Sequence, residues 1–322
     1  MRKPTAACLA IIAVTAAMQH DAMAVDGVRL LRQPRTFPIV ISNPGSYRLG
    51  GNLTVSTPDT TAIDVEASDV TIDLNGFTIA GPVTCTGTPP SLGTCNPLGG
   101  SSGGILCSGF TNLAVKNGTV RGFAGGGVNA GLCASTSVDR VRAFSNISGG
   151  IVVGENGSVS ESTASTNAVD GIVAGVGSTI DGNSSYNNGQ TGFNAYDSVV
   201  MIGNTASGNG LVGIIAHAGG VLANNVATAN PGAGISADDG AVLVGNSVTG
   251  NSNVGIVAGS TYGASVIGNG VMGNSGLGLQ LFGASGYANN VVSNNNGGNT
   301  HPQTSGGVSM GTNVCRGTTT CP

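Results

Sequence analysis

Gly171-Ile172-Val173-Ala174, Gly192-Phe193-Asn194-Ala195, Gly213-Ile214-Ile215-Ala216 and Gly234-Ile235-Ser236-Ala237 repeat one pattern at a constant interval of 21. The Gly-aliphatic step extends backward through Gly150-Ile151, Gly127-Val128 and Gly104-Ile105, and forward through Gly255-Ile256 and Gly278-Leu279. The successive intervals are 23, 23, 21, 21, 21, 21, 21 and 23. Asparagine stands four places before the step at Asn146, Asn167, Asn188, Asn209, Asn230, Asn251 and Asn274, and Asn295 continues the column. A second column runs Asn183, Asn204, Asn225, Asn246, Asn269 and Asn290. A period of this length, kept in phase, is the signature of stacked structural units.

The physical reading is an all-β parallel solenoid. Each repeat makes one coil of short strands and tight turns, stacked about 4.8 Å from the next. Residues one and three places after each glycine are apolar, as in Ile214 and Ala216 or Ile256 and Ala258. Period-two alternation turns these inward and the glycine, +2 and +4 positions outward. Stacked asparagine amides can bond rung to rung, satisfying groups that are costly to bury alone. Glycine at the corners supplies left-handed turns.

Composition agrees. Glycine is 56 of 322 residues, 31 are asparagine, and charged residues are 8%, against roughly 25% in an average soluble domain. Helical bundles are disfavoured, since Gly and Asn are poor helix formers. At 40% hydrophobic with a net charge of −4, the chain does not suit a disordered state. A leucine-rich horseshoe lacks its leucine consensus here, a calcium-binding nonapeptide roll its Gly-Gly-x-Gly-x-Asp arrays, and an ice-binding solenoid its outward Thr-x-Thr.

Arg2 and Lys3, the apolar stretch Ala6 to Ala17 and Ala22-Met23-Ala24 read as a signal peptide, residues 1–24, cleaved near Ala24. The product is expected in the periplasm, secreted or at the cell surface, without membrane insertion. Six cysteines then remain, an even count that favours disulfides in an oxidising compartment. Cys85 and Cys95 bracket a Pro/Gly/Thr-rich loop, and Cys315 and Cys321 bracket the C-terminal tail. Cys107 and Cys133 stand one wider rung apart, a separation of 26. These three pairs are the expected bridges. Residues 25–296 are read as the solenoid domain, 82–102 as an excursion between rungs and 297–322 as a C-terminal cap.

Gly45-Ser46-Tyr47-Arg48-Leu49, Asn52-Leu53 and Val70-Thr71-Ile72-Asp73-Leu74-Asn75-Gly76-Phe77-Thr78-Ile79 look like opening rungs. Together with the asparagine columns they resemble secreted bacterial right-handed parallel β-helix repeat proteins of the pectate-lyase-like superfamily. The resemblance covers most of the mature chain. It implies a single-stranded right-handed parallel β-helix of 21–23-residue rungs with caps at both ends. For activity it implies only a range, from lyases, hydrolases and epimerases to adhesins.

Chemistry has few places to sit. No Lys or Arg occurs between Arg142 and Arg316, so the central rungs lack the basic residue of pectate lyases. Lys116 and Arg140 fall in step with Asp139 and Glu161 on the following rung, which predicts inter-rung ion pairs. The outward +4 column reads Gly131, Gly154, Gly175, Tyr196, His217, Asp238, Gly259, Phe282. Three consecutive rungs thus carry Tyr, His and Asp. A histidine beside carboxylates suits acid–base chemistry, because its pKa lies near neutrality.

The candidate catalytic residues are therefore His217, Asp238, Asp239 and Asp197, with Tyr196, Asn194 and Ser236 as substrate contacts. The Asp238-Asp239 pair is similar to the paired aspartates of polygalacturonases, but their Gly-His-Gly and Arg-Ile-Lys motifs are missing, as is the Asp-Pro-His-Asp motif of alginate epimerases. A metal at His217 and Asp238 would need a further ligand. No cofactor is expected, and calcium stays open without a motif to hold it. The expected partner is a polysaccharide, uronate-rich or neutral. The acidic balance points away from nucleic acid. The competing reading is a structural or adhesive surface protein, suggested by the aliphatic +2 column of Val152, Val173, Ile215 and Val257.

Overall fold

The computed structural model describes residues 27–316 and Cys321; the leader and its cleavage site lie outside the described residues. No helix occurs among them. Strands pair in parallel in one twelve-stranded and one 23-stranded sheet, with a separate two-stranded hairpin. The twelve-stranded sheet collects the Gly-aliphatic strands, from Ile39–Ile41 and Ile63–Val65 through Ile256–Ala258 and Leu279–Leu281 to Thr304–Ser305. The larger sheet takes two strands from most rungs, for example Val200–Ile202 and Thr205–Ser207.

Register follows the repeat without slippage from Ile151 onward, whereas Ile105–Thr111 shifts against Val128–Ala134. Ile172, Phe193, Ile214, Ile235 and Ile256 are successive partners, and Ala174, Ala195, Ala216, Ala237 and Ala258 form the parallel row. Both rows are buried, at 2% exposure or less. Each buried Ile contributes about 1.5–3 kcal/mol relative to an exposed one.

The asparagine columns form two buried ladders. Asn209 shows the unit: its Nδ2 donates to Asn230 Oδ1 (3.2 Å) and Ser185 O (3.0 Å), while its Oδ1 accepts from the amide of Asn188 (3.1 Å) and from Asn188 Nδ2 (2.9 Å). A residue with positive φ precedes the asparagines of both ladders, Gly203 at 65° and Gly208 at 61° being examples. The anchor glycines have another reason. A Cβ on Gly213 would lie 2.6 Å from Gly234 O and 2.7 Å from Asn230 Nδ2. Close packing of turn against ladder, rather than a left-handed φ, excludes a side chain there.

The opening stretch does form rungs: Gly45–Leu49 pairs with Val70–Asp73, and Ile39–Ile41 with Ile63–Val65. Ile63–Val65 then pairs directly with Ile105–Cys107, so residues 82–102 loop out of the coil. They form the antiparallel hairpin Thr84–Gly87/Pro90–Asn96. Val83 and Cys95 pack on Ala124, Ile147 and Ala168, which belong to three successive rungs. The three expected disulfides are all present, with Cα separations of 4.0 Å (Cys85–Cys95), 6.0 Å (Cys107–Cys133) and 5.1 Å (Cys315–Cys321).

The expected ion pairs are different. Lys116 and Asp139 are register partners, but Asp139 pairs with its own neighbour Arg140 at 2.7 Å. Arg140 (φ 50°) and Glu161 (φ 46°) occupy the left-handed bend position. That backbone shape swings their side chains away from the strand geometry the sequence reading assumed. Between rungs, Arg48 lies 3.8 Å from Asp73.

Candidate functional site

Tyr196, His217 and Asp238 each follow directly on a strand of the twelve-stranded sheet. Their amides continue the ladder, donating to Ala174 O (2.9 Å), Ala195 O (3.0 Å) and Ala216 O (3.1 Å). The column therefore stays stacked past the strand ends. Its outward alternation leaves the side chains open to solvent: Tyr196 is 50% exposed, and the His217 and Asp238 side chains 41% and 52%.

His217 Nδ1 and Asp238 Oδ2 stand 2.9 Å apart. The Tyr196 ring lies 5.6 Å from the imidazole, centroid to centroid, with 35° between their planes. A carboxylate that accepts a hydrogen bond from Nδ1–H fixes the ring's tautomer and leaves Nε2 for a ligand. The arrangement can hold, accept or deliver a proton beside an aromatic face. Among the described residues no third His, Cys, Asp or Glu joins this pair in a group able to hold a metal ion.

Other candidates serve the scaffold. Asp239 accepts from Ser260 Oγ (2.6 Å) and from the amides of Ser260, Thr261, Tyr262 and Gly263. The Ser260 hydroxyl first, then the Thr261 amide, hold its carboxyl far below the ordinary carboxylate range. A group so stabilised as an anion is a poor proton carrier at neutral pH. Asp197 likewise reaches the next rung, where its Oδ1 accepts from the Ala218 amide at 3.1 Å. Asn194 Nδ2 donates to Asp170 Oδ2 (3.2 Å), and Asp170 Oδ1 accepts from the Thr191 amide (2.9 Å). Ser236 is half-buried between its register partners Ile215 and Val257. The aliphatic +2 column beside it is half-buried too, not exposed.

Two residues escaped the sequence reading. Asp170 is the lone acid in the column before the anchor glycines, and that singularity was the available signal. Tyr262, 82% exposed, rides on the longer turn that Asp239 organises. The greater length of that rung marked the turn, but not the outward aim of the ring. Tyr196, Tyr262 and Phe282 thus follow this edge of the sheet.

Comparison with known proteins agrees with the architecture. The family model described as "Right handed beta helix region" matches residues 144–271. No curated protein matches the chain by sequence. Among solved structures, the A-module of the Azotobacter vinelandii mannuronan C-5 epimerase AlgE4 is similar at 17% identity. That match covers 84% of this chain and 87% of that one, with a TM-score of 0.61. The catalytic domain of a GH87 alpha-1,3-glucanase is similar at 12% identity over 89% of this chain and 62% of that one, with a TM-score of 0.56. The Dettilon tailspike protein is similar at 16% identity over 83% of this chain and 54% of that one, with a TM-score of 0.51. At such identities the likeness is one of fold. With the parallel ladders, the asparagine columns and the matched repeat, the chain has a parallel β-helix fold whose residues 144–271 match the right-handed β-helix family model.

Proposed function

We propose that the protein binds or processes a polysaccharide along the outward edge of its twelve-stranded sheet, with Tyr196, His217 and Asp238 at the centre. The observation that carries this reading is the 2.9 Å contact of His217 Nδ1 with Asp238 beside the Tyr196 ring. Similarity in fold to a mannuronan epimerase and an alpha-1,3-glucanase supports the substrate class. In the enzymatic form of the proposal His217 and Asp238 share the acid–base work, and Tyr196 meets a sugar ring. Asp197 and Asp239 assist by holding the neighbouring turns. Hydrolysis is favoured over Arg-dependent lysis, because these rungs carry no Arg or Lys. The three disulfides fit action in the periplasm or outside the cell, and no described helix is long and apolar enough to cross a membrane.

The test screens the purified protein for turnover and binding on uronate-rich and neutral polysaccharides, beside His217→Ala and Asp238→Asn. Loss of a general acid–base group is expected to lower kcat about 100-fold or more. Binding left intact in both variants would remove the trio as the site. Neither turnover nor binding across the panel would favour the adhesive reading, for which the exposed aliphatics Ile202, Val221, Val244 and Val291 on the larger sheet offer a surface.

A further inference from the structure

The larger sheet carries a basic surface that the trio does not use. Lys116, Arg121, Arg140 and Arg142 fall within two rungs, and no other Lys or Arg follows until Arg316. Arg140 is neutralised by Asp139, and Lys116 sits in register between Asp73 and Asp139. Arg121 and Arg142 differ. Both are exposed, and among the described residues neither has an ion-pair partner.

Strand pairing sets Arg142 between Thr119 and Thr163, and Phe144 between Arg121 and Ser165, with Tyr186 following Ser165 on the next rung. Residues two apart on a strand share a face. Arg121 and Arg142 therefore stand diagonally on one outward surface, with Cα atoms about 8 Å apart from the strand rise and spacing. An open groove of about 350 Å³ lies among these side chains. A second, of about 400 Å³, shares Arg142 and Thr163 and continues past the bend at Arg140 and Glu161.

Each component has a chemical counterpart. Unneutralised guanidinium groups on a chain of net charge −4 make a local attraction for anions. Their planar forks match a carboxylate with two parallel hydrogen bonds. The half-buried Thr163 hydroxyl can exchange hydrogen bonds with sugar hydroxyls, and Phe144 and Tyr186 offer apolar ring faces to the CH face of a sugar. We propose that this groove binds carboxylate-bearing residues of an acidic oligosaccharide, as a site separate from Tyr196, His217 and Asp238.

Calorimetric titration at low salt, where surface charge is least screened, tests this with a tetrameric uronic-acid oligosaccharide and its methyl ester. The free acid is expected to bind at least about tenfold more tightly than the ester, since a bidentate charged contact is lost. The Arg121→Gln/Arg142→Gln double variant should bring the acid down to the level of the ester, and Tyr186→Ala should weaken it severalfold. On a His217→Ala background the acid should still bind more tightly than the ester and should lose that preference with the two arginines, which separates failure of this site from failure of the trio. Should the double Gln variant not fold, Arg121→Lys and Arg142→Lys singly replace it, each expected to weaken binding severalfold by losing the fork. Equal affinity for acid and ester, or unchanged binding in the arginine variants, would overturn the proposal. So would a sulfated oligosaccharide of equal charge that binds as tightly and is lost in the same variants, because the groove would then read charge alone.

Discussion

Asp239 and Asp238 are adjacent in the chain, and their side chains part at once. Asp238 turns to His217 across the rung, while Asp239 gathers the 260–263 turn. The Ser260 hydroxyl and the Thr261 amide, in that order, favour its anion and depress its pKa from the ordinary 3.8. A depressed folded-state pKa means that Asp239 contributes its full stabilisation above about pH 4 and loses it as the pH falls further. Carboxyl NMR titration should find Asp239 still ionised at about pH 3, where an ordinary aspartate is mostly protonated. Asp239→Asn should speed amide exchange at Thr261, Tyr262 and Gly263 severalfold at neutral pH and leave the rest of the solenoid unchanged. Uniform exchange rates in the variant would contradict this assignment.

In each coil, regularity is enforced by two positions that resist substitution. Removing the Asn209 amide leaves the Asn188 amide, Asn188 Nδ2 and Ser185 O without this partner inside the ladder. At about 1–3 kcal/mol for each unsatisfied buried group, Asn209→Ala should destabilise by about 3 kcal/mol or more in urea unfolding. Gly213→Ala should cost about 1–3 kcal/mol by overpacking against Gly234 O and the Asn230 amide. An alanine tolerated without cost would mean that the anchor glycine has some other role. Both positions were legible as sequence columns, and the ladder's donors and acceptors follow from the amide group itself. The reason for the anchor glycine was not legible, because it lies in the distance to the next coil.

Across the whole molecule the coil has two ends and one interruption. Gln303 ends the longer ladder, its Oε1 accepting from the Asn295 amide (2.9 Å) and Asn295 Nδ2 (3.2 Å), so Asn295 is not left without a partner at the end of its column. Thr304–Ser305 and Val314–Cys315 then add a last partial turn. The hairpin of the excursion lies over Ala124, Ile147 and Ala168, covering apolar turn residues that would otherwise meet water. Cys107–Cys133 ties together two paired rungs. Replacing both cysteines by serine should lower stability by about 2–4 kcal/mol, with the upper part of the range expected if denatured-state entropy dominates. Chemical denaturation of the oxidised protein beside this variant checks it, and an unchanged midpoint would show that the stacked strands alone hold these rungs.

The fold was legible because a solenoid converts sequence period into spatial neighbourhood. With coils of nearly constant length, any column in the sequence is a column in space. The core rows, both ladders and the Tyr196–His217–Asp238 stack could therefore be read from spacing alone. The pairing of Cys107 with Cys133 lies off that rule, since the two are 26 residues apart and stand beside a register shift between their strands. Spacing places Cα atoms but does not aim side chains, and there the tertiary structure decided. It turned Asp239 into a turn anchor, drew Asn194 to Asp170, bent Arg140 onto Asp139 and left Arg121 and Arg142 open beside Phe144 and Tyr186. Those outcomes depend on local φ and on which donor lies within about 3 Å, quantities set by the packed coil and carried by no periodicity.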